Sequence, residues 1–190
     1  SEELKRFEET QDENLQQDAR NYLDKIEYWI KNTTLTHLEE LYGDAWNLVI
    51  SDIESDASKR AIDEVARKFK QENKRYKIDW TDMLFIKDYI NISQKFWNKL
   101  PGQGIEYDEL KFKRLFEKIS IDLDKSYIDS SNTYFKLGTV SNKESGIKWM
   151  KQINSLRNTV AHIATKSFGV NKEEVEFLKT VHNTITRKQT

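Results

Sequence analysis

Residues that interrupt helices are nearly absent from this chain. Its 190 residues include one proline and six glycines, whereas a sandwich or barrel of short strands needs many turns built on these two residues. Charged residues make up 33 % of the chain, a proportion that suits long helices with solvated outer faces. The sequence therefore predicts an all-α protein, and its length corresponds to about one domain.

Apolar residues recur at helical spacing along most of the chain. They are only 37 % of the residues while aromatic residues are 12 %, so a few large side chains must fill the core. The pattern predicts helices over residues 2–32, from 36 onward with Thr36 and Glu39 as a capping box, over 56–74, from 79 or 81 to Pro101, from an Asp108 cap through 123, over 146–165, and over 172–188 with Asn171 and Glu174 as a capping box.

The predicted organisation is a bundle of four main helices with extra helices packed on it. Residues 76–190 form the bundle, and residues 1–75 form an N-terminal helical extension that is acidic and then basic. Between about 129 and 146 the helical pattern stops in a Ser, Asn, Thr and Gly-rich stretch. This connection is long for a compact domain, and the sequence leaves open whether it is a functional loop or a mobile one.

Charge is divided unevenly along the chain, although the net charge is only −1. Residues 1–58 carry five basic and fifteen acidic side chains, a net −10, and residues 59–77 carry eight and three, a net +5. A basic concentration can attract the phosphates of RNA, and it can also be the solvated face of a helix. The RNA-binding candidates are Lys59, Arg60, Arg67, Lys68, Lys70, Lys74, Arg75 and Lys77.

Several classes of site are excluded or unsupported by the sequence. The chain has no cysteine, which excludes disulfides, thiolate zinc sites and cysteine nucleophiles. No metal or cofactor is predicted, because His37 and His182 read as surface residues and no phosphate-cradling glycine loop follows a strand. No stretch approaches the roughly 18 apolar residues of a membrane span, so we expect a cytoplasmic protein without membrane contact. The chain starts at Ser1 and its only methionines are Met83 and Met150, so the sequence leaves open whether it is a piece of a longer protein.

One constellation carries chemistry, on the helix predicted over 146–165. Its apolar residues form one stripe, and Asn158 and His162 lie opposite that stripe at i, i+4 spacing, with Arg157 on its flank. An imidazole that titrates near neutral pH beside a fixed cation suits attack by an RNA 2′-hydroxyl on the adjacent phosphate. An outward histidine can also be a plain surface residue, but the company of Arg157 and Asn158 favours a site.

These residues resemble the signature of the HEPN superfamily of helical-bundle nucleases and nucleotide-binding proteins. That signature is an arginine, four to six residues and a histidine, often with a polar residue after the arginine, as Arg157, Asn158 and His162 stand here. In the family the motif lies near the end of a core helix and is followed by a short loop and a last helix. The resemblance covers about residues 76–188, and residues 1–75 match nothing in the family.

The resemblance implies a metal-independent endoribonuclease of a defence, toxin–antitoxin or RNA-processing system. It implies Arg157, His162 and Asn158 as catalytic residues and a homodimer in which two copies of the motif-bearing helix form one composite site. Members without catalysis bind nucleotides or act as interaction modules. Two hypotheses therefore stand after the sequence: an RNA endonuclease, and a non-catalytic interaction or nucleotide-sensing module of a larger protein.

Overall fold

The computed structural model describes residues 1–98, 112–128, 131–132, 134–135, 142–162 and 169–187. Helices account for most of these residues, and no strand occurs among them. The predicted all-α class is confirmed. Predicted features at Pro101, at the Asp108 cap and over half of the 129–146 connection lie outside the described residues. Every helix in this part of the chain is too short or too polar to span a bilayer.

Eight α-helices and two 3-10 segments make up the described structure. The 3-10 segments are Gly43–Ile50 and Trp80–Met83. The helices are α1 (Glu2–Thr10), α2 (Glu13–Tyr42), α3 (Ser51–Glu72), α4 (Ile86–Lys95), α5 (Phe112–Tyr127), α6 (Lys143–Gly146), α7 (Lys148–Ala161) and α8 (Lys172–Arg187).

The N-terminal half differs from the predicted helix boundaries. One break falls near Asp12, whose carboxylate caps α2 by accepting from the N–H groups of Asn14 and Leu15. No helix begins at Thr36, because α2 continues without interruption to Tyr42. Gly43 ends it with a φ of 67°, in the region that favours glycine.

The hydrophobic core is built around α2. This helix packs against α4, α7 and α8, and α5 packs against α8, α6 and α7. One continuous cluster of buried residues includes both α2 and the helices after residue 84. The core therefore crosses the boundary predicted at residue 75, and α2 is an inner member of the bundle. Its fully buried apolar residues are Ala19, Leu23, Ile26, Ile30 and Leu38.

Aromatic side chains fill the centre of this core, as the composition predicts. The ring centroids of Trp29, Phe116 and Trp149 lie 6.0–6.3 Å apart in a tilted cluster. The indole N–H of Trp149 donates to the carbonyl of Phe116 over 3.2 Å, which satisfies the buried polar end of the side chain. This bond fixes α7 against α5.

The start of α8 is fixed by two polar contacts. The predicted capping box is confirmed, because Asn171 Oδ1 accepts from the N–H of Glu174 at 2.9 Å and Glu174 Oε1 accepts from the N–H of Asn171 at 3.0 Å. The buried Gln16 amide of α2 bonds both the carbonyl and the N–H of Val170, at 2.9 and 3.0 Å. Together they hold the chain where it returns to the bundle after α7.

Helix α3 lies at the edge of the bundle. It contacts the two 3-10 segments, and only Ala57 and Ala61 are buried on it. Arg60 ties it to the start of α4: its Nη1 donates to Asp88 Oδ2 and to the carbonyl of Met83, each at 2.9 Å. A large part of the α3 surface is therefore left exposed to solvent.

Candidate functional site

Helix α7 presents the predicted motif as its sequence pattern indicates. Its core-facing residues Trp149, Ile153, Leu156 and Val160 are buried, while Asn158 and His162 are exposed. His162 forms the C-cap, and its N–H donates to the carbonyl of Asn158 at 3.1 Å. The outward polar face opposite the core stripe is thus present in the structure.

Arg157 is held by two carboxylates of α2. Its Nη2 donates to Asp24 Oδ1 at 2.8 Å and to Glu27 Oε2 at 2.5 Å. Burial lowers the pKa of Arg157, but Glu27 and Asp24 outweigh this effect and the pKa is raised above its ordinary value. The guanidinium is therefore a permanent cation that ties α7 to α2.

The three motif residues are consequently oriented in two directions. Arg157 reaches sideways to α2, whereas Asn158 and His162 lie on the exposed face. Arg157 and His162 are five residues apart, which places their Cα positions about 140° apart around a helix. Within one chain the structure brings Asn158 and His162 onto one face, and Arg157 flanks that face with its charge engaged.

The contact with α2 changes the expected effect of removing Arg157. An arginine lying off the core stripe is expected to leave folding little changed when substituted. Here its side chain is only 31 % exposed and joins two core helices. The exposed pair with Asp24 contributes about 0.2–1 kcal/mol, and the less exposed pair with Glu27 adds to it, so Arg157→Ala costs stability as well as charge.

Asp24 and Glu27 are the residues that the sequence reasoning missed. Their i, i+3 spacing places them on one face of α2. That spacing is a visible signal, but acidic residues are abundant in this region and nothing local indicates the partner. The partner stands 130 and 133 residues further along the chain.

The predicted basic segment is divided into bound and exposed cations. Arg60 is bound to Asp88, Arg67 bonds Glu64 and also Gln71, and the ammonium of Lys68 lies 4.5 Å from the centre of the Tyr76 ring. These three contacts are within the protein and define local structure. Arg67 is nevertheless exposed, as are Lys59, Lys70, Lys74, Arg75 and Lys77.

Of the two histidines interpreted as surface residues, one is buried and the other is partly exposed. His37 is buried, with its ring 4.5 Å from that of Phe112 in an edge contact. His182 is half-buried and lies 5.7 Å from the Tyr22 ring. The prediction for His37 was wrong because its side of α2 packs against Phe112 of α5, a contact that local spacing does not show.

Other polar and aromatic residues outside α7 have structural roles. Asp79 caps the segment Trp80–Met83, and Asp82 pairs with Lys31 at 2.7 Å. Phe135 is fully buried and stacks 5.6 Å from Phe177, so filling the bundle is its role. In the described parts of the chain, no three carboxylate or imidazole groups are arranged to hold a metal ion.

The motif lies on an open surface. A cleft of about 520 Å³ is present between α4 and α5, lined by Gln94, Trp97, Lys113 and Glu117. It also reaches Lys143, before the start of α7, and the fourteen residues of α7 separate that end from His162 by roughly 20 Å.

Comparison with protein-family models, with curated proteins and with solved structures finds no match for this chain.

Proposed function

We propose that this protein is an endoribonuclease that cleaves single-stranded RNA without a metal, with Arg157, His162 and Asn158 as its catalytic residues. The observation that carries the proposal is the exposed Asn158–His162 pair at the end of α7, one side of which is flanked by the Arg157 cation. An accessible imidazole beside a permanent positive charge is the minimum that attack by a 2′-hydroxyl requires.

The reaction conserves atoms without a co-reactant. His162 takes the proton of the 2′-hydroxyl, whose oxygen attacks the adjacent phosphorus, and the bond from phosphorus to the 5′-oxygen breaks. The products are a 2′,3′-cyclic phosphate and a 5′-hydroxyl, whose oxygen receives the proton that the 2′-hydroxyl gave up, so that the imidazole is neutral again. Arg157 stabilises the phosphorane charge, and Asn158 orients the imidazole or a phosphate. DNA lacks the nucleophile and is not cleaved.

Arg157 can serve this reaction while it is bound to α2. Both of its contacts use Nη2, and a guanidinium also has N–H donors at Nη1 and Nε. These donors are suited to a phosphate oxygen. Asp24 and Glu27 then fix the position of the guanidinium, although their negative charge opposes the approach of RNA.

The proposal includes a homodimer through the exposed face of α7. A two-fold axis at this polar face brings two Arg157 and His162 sets to one surface, and Asn154, Asn158 and His162 are its central residues. A role in defence, toxin–antitoxin or RNA-processing systems follows from the HEPN resemblance, and the cytoplasmic location expected from the sequence belongs to the same proposal.

A non-catalytic helical module is the second candidate function. The observation that favours it is the double engagement of Arg157, because one cation facing two carboxylates leaves no net positive charge for a phosphorane. In that case the exposed Asn158–His162 face binds a partner or a nucleotide, and Arg157 is a structural tie between α7 and α2.

Cleavage of a fluorescent single-stranded RNA in EDTA distinguishes the two candidates. His162→Ala is expected to lower the rate on the order of 100-fold or more, and the matched change His182→Ala is expected to leave it unchanged. An RNA that stays intact, cleavage that stops in EDTA, or full activity of His162→Ala contradicts the ribonuclease.

The role of Arg157 needs a control for stability. Arg157→Ala and the double variant Asp24→Ala with Glu27→Ala remove the same contacts between α7 and α2, but only the first removes the cation. If Arg157 is catalytic, Arg157→Ala loses cleavage, whereas the carboxylate variant keeps it although both variants have the same free energy of unfolding. Equal activity of both variants assigns Arg157 to structure alone.

A further inference from the structure

An exposed apolar stripe runs along α3 beside the basic segment. Ile62 is 68 % exposed and Phe69 is 46 % exposed, while Val65 between them is half-buried. Their i, i+3 and i+7 spacing puts them on one face over two turns. A helix at the edge of a bundle normally turns its polar side outward, so this stripe is an unpartnered apolar face.

A groove deepens this face on one side. Between α3 and the chain that returns after it lies a cavity of about 420 Å³. Its apolar walls are Ala61, Ile62 and Val65 of α3 and Ile78 and Trp80 of the returning chain. The stripe and the groove together extend from Ser58 to Phe69, which is roughly 16 Å of helix.

Cations border the apolar stripe on both sides. Lys59 and Lys70 are exposed on one flank of α3, and Lys74, Arg75 and Lys77 are exposed on the returning chain. Two of the nearby carboxylates are engaged locally: Glu64 bonds Arg67, and Glu72 accepts from the Tyr76 hydroxyl at 2.5 Å. Glu72, Asp79 and Asp63 are exposed and keep their negative charge, because hydrogen bonds from Tyr76 and Thr81 do not neutralise a carboxylate. Residues 59–79 carry eight basic and four acidic side chains, so this segment is net +4.

We infer that this face of α3 binds an acidic amphipathic helix of a protein partner. An apolar stripe between two rows of cations is complementary to a helix with apolar residues at i, i+3, i+4 and i+7 and with glutamates on both flanks. Single-stranded RNA fits less well, because bases stack on aromatic rings and the most exposed residue of the stripe is the aliphatic Ile62. The inference is independent of the proposed ribonuclease.

The probe is a synthetic 18-residue peptide with leucines on one face and glutamates on the other, labelled for fluorescence anisotropy. A peptide of the same composition with the leucines dispersed around the helix is the first control, and 20-nucleotide polyuridine is the second. We expect the patterned peptide to bind the full chain at least tenfold more tightly than the dispersed one, and to bind less tightly as salt is raised.

Variants then locate the binding face. Ile62→Ser and Phe69→Ser change exposed side chains and are each expected to weaken peptide binding about tenfold. The double variant Lys59→Glu with Lys70→Glu is expected to weaken it further and to remove much of the salt dependence. Ile128→Ser is the matched control, because Ile128 is an equally exposed isoleucine, at 70 %, that lies outside α3, just after the end of α5.

Three outcomes overturn the inference. Equal binding of the patterned and dispersed peptides means that the face does not recognise a helix. Peptide binding that is unchanged in Ile62→Ser and Phe69→Ser places the contact elsewhere. Polyuridine binding that depends on these residues, with no binding of the patterned peptide, assigns the face to RNA. Polyuridine is measured on His162→Ala, in which the proposed cleavage is lost, so none of these results depends on whether His162 cleaves RNA.

Discussion

The contact between Gln16 and Gly169 gives a quantitative test of how the chain is held after α7. Gly169 is buried, and a Cβ atom built on it lies 2.3 Å from Gln16 Oε1 and 2.7 Å from Gln16 Cδ. Real Cβ atoms do not approach this closely. Gly169→Ala must therefore expel the Gln16 amide from its two hydrogen bonds to Val170.

The cost of Gly169→Ala follows from those two bonds. Two net hydrogen bonds at about 1 kcal/mol each, and a buried N–H and carbonyl left unpaired, amount to about 2–4 kcal/mol. Gln16→Ala loses the same bonds and has a similar cost. In the Gln16→Ala background the new methyl meets no amide, so Gly169→Ala should then be neutral or stabilise by about 0.5 kcal/mol through a less flexible unfolded chain.

Urea unfolding of the four proteins in this double-mutant cycle measures the coupling. We expect the double variant to be as stable as Gln16→Ala, so that the coupling equals nearly the whole cost of one substitution. Gln17→Ala is the control, because Gln17 is exposed and bonds only Asn21 on its own helix. Additive costs in the double variant would refute the described contact.

Three further substitutions have defined expectations. Gly146→Ala places a methyl 2.7 Å from the Trp97 ring and should destabilise by about 1–3 kcal/mol in urea unfolding; an unchanged midpoint contradicts the packing. Asn171→Ala removes the N-terminal cap of α8 and should lower the free energy of unfolding by about 1 kcal/mol. An unchanged free energy of unfolding would show that the cap does not form. Burial and nearby Lys25 lower the pKa of His182 from 6.5, so the unfolded chain binds its proton more readily and stability falls as pH drops below 6.5. His182→Gln should remove this loss of stability at low pH. If the free energy of unfolding depends on pH in the same way in His182→Gln, the prediction is refuted.

Elements that depend on local pattern were predicted well from the sequence. The apolar stripe of α7 and its outward Asn158 and His162 follow from helical periodicity alone. The Asn171 and Glu174 capping box forms because both partners lie within four residues. These features depend only on residues that are close together in the sequence, which is why the sequence predicts them.

Features that depend on distant contacts could not be predicted in this way. Thr36 begins no helix although it has a capping pattern, because burial of Leu38 and Leu41 against the bundle keeps α2 continuous. The pairing of Arg157 with Asp24 joins helices more than 130 residues apart. The orientation of the Arg157 guanidinium, which bears most on the chemistry of the site, was therefore outside local reasoning.

The position of α2 also decides which part of the chain can fold alone. Its four fully buried leucines and isoleucines belong to the same core as α5, α7 and α8. Burial of each contributes about 1.5–3 kcal/mol, so their loss removes roughly 6–12 kcal/mol, which is comparable with the whole stability of a domain. The four residues are Leu23, Ile26, Ile30 and Leu38.

A fragment of residues 76–190 is therefore expected not to fold cooperatively, although the HEPN resemblance is confined to this part of the chain. Its near-ultraviolet circular dichroism should be weak and its urea transition broad, because Trp149 and Phe116 lose their contact with α2. The matched fragment of residues 12–190 removes only α1 and keeps the Asp12 cap, and it should unfold in one sharp transition. A sharp transition and a strong aromatic signal in the 76–190 fragment would show that α2 is an addition to a complete bundle. The tie between Arg157 and the α2 carboxylates would then be dispensable for the fold as well.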